Sequence, residues 1–176
     1  LDLVEMQIRI AEGHPLSIKQ SEVTMDGHAI ELRVYAENAA QGFTPSIGKL
    51  TTYQPPTGKG IRVDDGYKVG MEVPIHYDPM ISKLIAHAPT RDEAIELLEK
   101  AITAYIIRGI DTTLEFGRFS ILHPAFKSGK FDTHFVEKYS GEFLEQLNQT
   151  NTVAAEFVAW LYQKKRSILV LPKMDK

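Results

Sequence analysis

The sequence predicts an α+β domain, a mostly antiparallel β-sheet with helices packed to one side. Three observations carry that prediction. Between residues 28 and 87, short apolar or alternating runs are separated by glycine, proline and aspartate turn signals. After Pro89-Thr90, the apolar spacing switches to the helical period. The strands therefore precede segregated helices, as in α+β architectures.

Each element follows from local pattern. Leu3, Val4, Gln7, Ile8 and Ala11 share a helical stripe that Gly13 and Pro15 end. Residues 15–27 are mixed, and Asp26-Gly27 signals a turn. Along 28–38 the side chains alternate between two faces. Ile30, Leu32 and Val34 fall on one face, and Glu31, Arg33 and Tyr35 on the other. A loop follows through Gly42, Pro45 and Gly48. Residues 49–53 read as a strand, Pro55-Pro56-Thr57-Gly58 as a turn, and 60–64 as a second strand. Asp65-Gly66 is a hairpin-type turn. Residues 69–75 form a short strand, placed at an edge or strand end by Pro74. The apolar run 80–87 fits a buried strand.

Thr90 with Glu93 has capping-box spacing, and the helix it opens ends near Ile106, before Gly109. Its apolar face runs from Ala94 to Tyr105. Thr112 or Thr113 caps a further helix through Leu122. Pro124, Gly129 and Lys130 mark loop, and 133–139 one or two helical turns. Residues 142–150 are polar and helical. Residues 152–165 form an amphipathic helix with Val153, Phe157, Trp160 and Leu161 on one side. Lys164-Lys165-Arg166 suits a helix C-terminus, and 168–171 is a short apolar run.

Composition narrows the function classes. The chain of 176 residues is long enough for one domain with a real core. A net charge of −3 provides no basic footprint for nucleic acid. Without cysteine there is no disulfide framework and no cysteine-based zinc site. No stretch reaches the roughly 20 apolar residues that span a bilayer. The six histidines have no i, i+3 or i, i+4 pair among them, so no helical metal site is expected. Asp64, Asp65 and Glu72 lack the spacing of a calcium loop. Gly58-Lys59-Gly60 lacks the spacing of a phosphate loop.

Arg33 is the leading chemical candidate. Glu31, two residues away on the same strand face, is within reach to hold its guanidinium. A planar five-donor fork held this way suits a carboxylate, carbonate or phosphate. On these residues alone, the ordinary reading is a surface ion pair on a half-buried strand.

A series of motifs changes that balance. Gly27-His-Ala-Ile-Glu-Leu-Arg-Val-Tyr-Ala-Glu-Asn38 is followed by Phe43-Thr-Pro-Ser-Ile-Gly48 and Pro56-Thr-Gly-Lys-Gly-Ile-Arg62. Tyr77-Asp-Pro-Met-Ile-Ser-Lys-Leu-Ile85, Arg91-Asp-Glu-Ala-Ile95 and Ile107-Arg-Gly-Ile-Asp-Thr112 come next. In this order they resemble the C-terminal domain of biotin carboxylase, the ATP-dependent half of acyl-CoA and pyruvate carboxylases. The resemblance runs from Leu1 to about Tyr139. It divides the chain into a carboxylase-like domain at 1–140 and a helical extension at 141–176.

The resemblance implies the following. Arg33 matches the arginine that contacts bicarbonate and the biotin ureido group, with Glu31 as a possible orienting partner. Bicarbonate attacks the γ-phosphate of ATP, and the carboxyphosphate formed releases CO2 and phosphate. Phosphate deprotonates biotin N1, and the enolate attacks CO2. Arg62 and Asp78 match places near a two-fold dimer interface. The family uses biotin on a carrier domain, ATP, and Mg or Mn. Its partners are an ATP-grasp part of the same chain, the carrier domain and a carboxyltransferase that chooses the acceptor. A bacterial cytoplasm or a mitochondrial matrix is the expected compartment.

The pattern also departs from the family. Ala39 stands where proline usually follows Asn38, and Thr112-Thr113 where Thr-Asn is usual. The glycine-rich nucleotide loop, the metal-binding glutamates and the Arg-Leu-Gln-Val-Glu-His segment are absent. The chain is therefore expected to be a fragment that binds no cofactor by itself and is inactive alone. Two rivals remain: a non-catalytic binding or scaffold domain of the same fold, and another ATP-grasp ligase. The Glu-Leu-Arg33 and Tyr77-Asp-Pro-Met-Ile81 motifs argue against the second.

Overall fold

The computed structural model describes residues 1–168. Its main sheet has three antiparallel strands in the order β1 (His28–Tyr35), β8 (Met80–Ala88), β6 (Ile61–Asp65). Three two-stranded ladders accompany it. They pair β2 (Glu37–Asn38) with β3 (Thr44–Pro45), β4 (Gly48–Lys49) with β7 (Glu72–Val73), and β5 (Thr52–Gln54) with β9 (Ile106–Arg108). The helices are α1 (Leu3–Ala11), α2 (Arg91–Ala104), α3 (Leu114–Leu122), α4 (Pro124–Lys127) and α5 (Phe135–Ile168).

Register decides which face of the sheet is buried. Leu32 and Val63 both sit opposite Leu84, and Ile30 and Ile61 both sit opposite Ala86. These residues form the apolar face. α2 covers it with Ala94, Ile95, Leu98, Ala101 and Ile102. Each fully buried aliphatic side chain there contributes about 1.5–3 kcal/mol. The capping box that starts α2 is complete: Thr90 Oγ1 accepts from the Glu93 N–H, and Glu93 accepts from the Thr90 N–H at 3.0 Å. A second apolar cluster gathers Ala36, Leu50, Val73 and Ile81 beyond the end of β1.

α3 lies close against β1 because it presents Gly117 there. A Cβ at that position would stand 2.6 Å from a Leu32 methyl carbon. Phe116 of α3 then meets Phe43 at 5.0 Å and Phe143 of α5 at 5.2 Å, both edge to face.

Several elements differ from the sequence reading. The 49–53 strand divides into β4 and β5, with Leu50 buried between them. Asp65-Gly66 closes no hairpin, because β6 pairs with β8 and β7 with β4. The residues read as loop around 37–48 contain the short β2–β3 ladder. α2 stops at Ala104 rather than near Ile106. The buried Tyr105 bonds its hydroxyl to Tyr53 and Ser82, which draws Ile106 and Ile107 out to pair with β5. Pro124 opens α4, since a missing N–H is harmless in a first turn. The three helical pieces read after 133 join as one helix, α5, which crosses Gly141 unbroken. Tyr139 and Phe143 anchor it on His123 and Phe119 of the α3 end. Further along, Val153, Phe157, Trp160 and Leu161 are exposed. The apolar run at 168–171 lies outside the described residues after Ile168. α1 is capped by Asp2, and its stripe, including Leu3, Val4 and Ile8, is uncovered among the described residues.

Candidate functional site

Alternation along the strands puts charge on the sheet face away from α2. One row across the sheet is Arg33, Lys83, Asp64, and the next is Glu31, Ile85, Arg62. Neighbouring strands are about 4.8 Å apart. Arg33 and Arg62 are therefore held two strands from each other on one rigid surface.

Arg33 donates from Nε to Glu31 Oε1 at 3.3 Å, a long single hydrogen bond. Its side chain is 58 % exposed and that of Glu31 42 %. Tyr35 first, and Glu31 second, raise the Arg33 pKa above its already high ordinary value, so the guanidinium stays charged. Glu31 meets Nε alone. The fork is thus held by Glu31 on one flank with Tyr35 beside it, and its terminal nitrogens meet no carboxylate among the described residues, an arrangement that can accept a planar oxyanion.

Arg62 is arranged differently. Its Nε and Nη2 donate to the two Asp64 oxygens at 2.8 and 2.6 Å, which closes the fork. Those hydrogen bonds hold the Asp64 carboxyl below the usual range. Asp78 is not brought to Arg62. It precedes β8 and accepts from the Met80 N–H at 2.8 Å. Its charge adds to burial, the larger cause, in pushing the Glu37 carboxyl up.

The backbone behind Arg33 is anchored by Thr113, which the sequence marked only as a helix cap. Thr113 occupies the N-cap position of α3 but makes no side-chain cap bond there. Its Oγ1 accepts from the Tyr35 N–H at 3.0 Å and donates to the Arg33 carbonyl at 3.4 Å. The Thr113 N–H donates to the Tyr35 carbonyl at 3.1 Å. Nearby, Asn38 Nδ2 donates to Asp111 Oδ2 at 3.0 Å, which joins the Ala36-Glu-Asn38 motif to the Ile110-Asp-Thr112 motif. In the sequence, the cap reading and the family departure at Thr112-Thr113 pointed to this position, but not to its contact with β1. An apolar cavity of about 330 Å³ runs between β1 and α3, with Leu32, Phe43 and Phe116 in its wall and Arg33 and Glu37 at its polar side.

No group of three or more His, Asp or Glu side chains that would hold a metal ion occurs among the described residues. No helix there is long and apolar enough to cross a membrane.

Comparison with known proteins identifies the family. Biotin carboxylase 1 of Bacillus subtilis is 44 % identical over 138 residues, covering 78 % of this chain and 31 % of that protein. The mitochondrial methylcrotonoyl-CoA carboxylase subunit alpha of Arabidopsis thaliana is 39 % identical over 170 residues, covering 96 % and 23 %. Among solved structures, the biotin carboxylase domain dimer of Hydrogenobacter thermophilus 2-oxoglutarate carboxylase, in complex with MgADP, ADP and bicarbonate, superposes with a TM-score of 0.77. It is 37 % identical, over 81 % of this chain and 32 % of that one. The chain spans less than a third of the length of each of these proteins. Residues 31–138 match the model of the biotin carboxylase C-terminal domain. With the antiparallel sheet and flanking helices also shared, the chain belongs to the biotin carboxylase C-terminal domain family.

Proposed function

We propose that this chain is the C-terminal domain of a biotin carboxylase and that Arg33 is its contribution to the bicarbonate and biotin site. The observation that carries this reading is the open fork of Arg33, oriented by Glu31 on a rigid strand face. During carboxylation of biotin, negative charge builds on the ureido oxygen. A fixed guanidinium beside that oxygen stabilises the transition state more than the ground state. Lysine would offer a point charge without the planar fork.

The divalent ion that accompanies ATP finds no cluster of three or more histidine or acidic side chains among the described residues. We assign both to an ATP-grasp part, with which this domain completes an ATP-dependent C–N ligase. The domain is inactive without that part. A biotin carrier domain delivers the substrate, and a carboxyltransferase consumes the product. Arg62, on the exposed face of β6, and Asp78 contribute to a homodimer surface. Residues 141–168 continue α5 as a helical extension of the domain.

The test is ATP-dependent carboxylation of biotin by the full-length carboxylase, wild type against Arg33→Ala. The reading expects kcat/KM to fall by about 10²–10³-fold with the melting temperature unchanged, the cost of removing one preorganised donor. Near-normal turnover would reduce Arg33 to a surface ion pair and leave the scaffold reading in its place.

A further inference from the structure

We propose that Thr113 is a positioning residue for Arg33, a role that rests on the reading of Arg33 given above. β1 is an edge strand of the main sheet, paired only with β8. The main-chain groups on its other edge have no ladder to hold them, so the rung that carries Arg33 is free to twist unless something replaces the missing strand. Thr113 does so from a distance of 78 residues in sequence. Its hydroxyl and its N–H together meet the Tyr35 N–H, the Tyr35 carbonyl and the Arg33 carbonyl. Those groups belong to the open edge of the Arg33–Tyr35 segment.

The hydroxyl is committed to this task. A threonine at an N-cap ordinarily bonds the N–H groups of its own first turn. Thr113 leaves that bond unmade and turns its side chain to β1 instead. It is 7 % exposed, so water does not compete for its hydrogen bonds. The Thr113 carbonyl meanwhile accepts from the Gly117 N–H at 2.8 Å, and Gly117 brings α3 against Leu32. One residue therefore ties the helix and the strand together on both sides of Arg33. Because a displacement of about 1 Å costs up to about a hundredfold in a reaction that depends on orientation, the hydroxyl bears on turnover although it lies behind the reacting face.

A double-mutant cycle in the full-length carboxylase tests this. Thr113→Val keeps the shape and removes the hydroxyl, and Thr113→Ser keeps the hydroxyl. Thr113→Val is expected to lower kcat about tenfold or more in the Arg33 background and to have no effect in the Arg33→Ala background, because a residue acting through another loses its effect with it. Thr113→Ser is expected to restore kcat. An equal loss in both backgrounds, or a kcat unchanged by Thr113→Val, would overturn the proposal. If Thr113→Val does not fold, the same cycle is run with Thr113→Ala against Thr113→Ser. Wild-type turnover by Arg33→Ala alone would instead overturn the reading of Arg33, and this inference with it.

Discussion

The same sheet carries two arginine–carboxylate pairs at a spacing of two residues, Arg33 with Glu31 on β1 and Arg62 with Asp64 on β6. They share chemistry, exposure and face, and they differ in closure. Asp64 takes two donors of its arginine at 2.8 and 2.6 Å, whereas Glu31 takes one at 3.3 Å. The side chain of Asp64 lies next to Lys83 in its row, and that of Glu31 next to Ile85. A guanidinium paired along one edge to both carboxylate oxygens is the more committed to its neighbour. One held by a single bond keeps more of its donors for a planar anion. The difference shows that an ion pair in a site is informative through the donors it leaves over.

Four substitutions break or sharpen that contrast. The largest effect is expected from replacing each arginine by lysine in the full-length carboxylase. Arg33→Lys should lose about 10²-fold in kcat/KM, because the ammonium keeps the charge and discards the fork. Arg62→Lys should leave kcat/KM within about twofold, as expected for an exposed pair away from the reacting groups. Steady-state kinetics with varied bicarbonate measures both, and equal losses would erase the distinction between the pairs.

A smaller effect is expected for Glu31→Gln. Glutamine can still accept the Nε hydrogen bond, but without the charge, so kcat/KM should fall about threefold to tenfold, of the order of one charge-assisted hydrogen bond weakened to a neutral one. A loss as large as that of Arg33→Lys would make Glu31 a reacting group and not an orienting one.

The smallest effect is expected for Asp64→Asn, read as a melting temperature across pH. The folded protein holds the Asp64 carboxyl below its ordinary pKa of 3.8, chiefly through the Arg62 hydrogen bonds. Such a group binds its proton less tightly folded than unfolded. Its contribution is present above pH 3.8 and is lost as the pH falls through the depressed folded value. The variant should therefore melt slightly below wild type at neutral pH and match it in strong acid. The difference stays small because both side chains face solvent. A gap that widens toward acid would contradict this assignment of the shift.

Much of the fold was legible because its signals are local. Ile30, Leu32 and Val34 alternate with Glu31, Arg33 and Tyr35, and that period alone separates the buried from the charged face of β1. Thr90 and Glu93 announce the start of α2 from within a single turn. The motifs around Arg33 and Tyr77 carried the family by their order along the chain. Less visible were features that depend on partners far away in sequence. β9 has only three residues and takes its form from β5, so its apolar run was read as the end of a helix. Asp65-Gly66 has hairpin composition, yet the strand after it pairs with β4. Gly141 weakens a helix by about 1 kcal/mol, but the aromatic contacts of Tyr139 and Phe143 carry α5 through it.

The sequence by itself determined the α+β class, the faces of the strands, the cap of α2, and the placing of Glu31 beside Arg33, because each depends on residues within a few positions of one another. The tertiary structure alone decided which strands pair, which arginine keeps an open fork, and where the Thr113 hydroxyl goes. A threonine has the same hydrogen-bonding capacity at every N-cap. Only the packing of α3 against β1, through Gly117, puts the Tyr35 N–H within its reach.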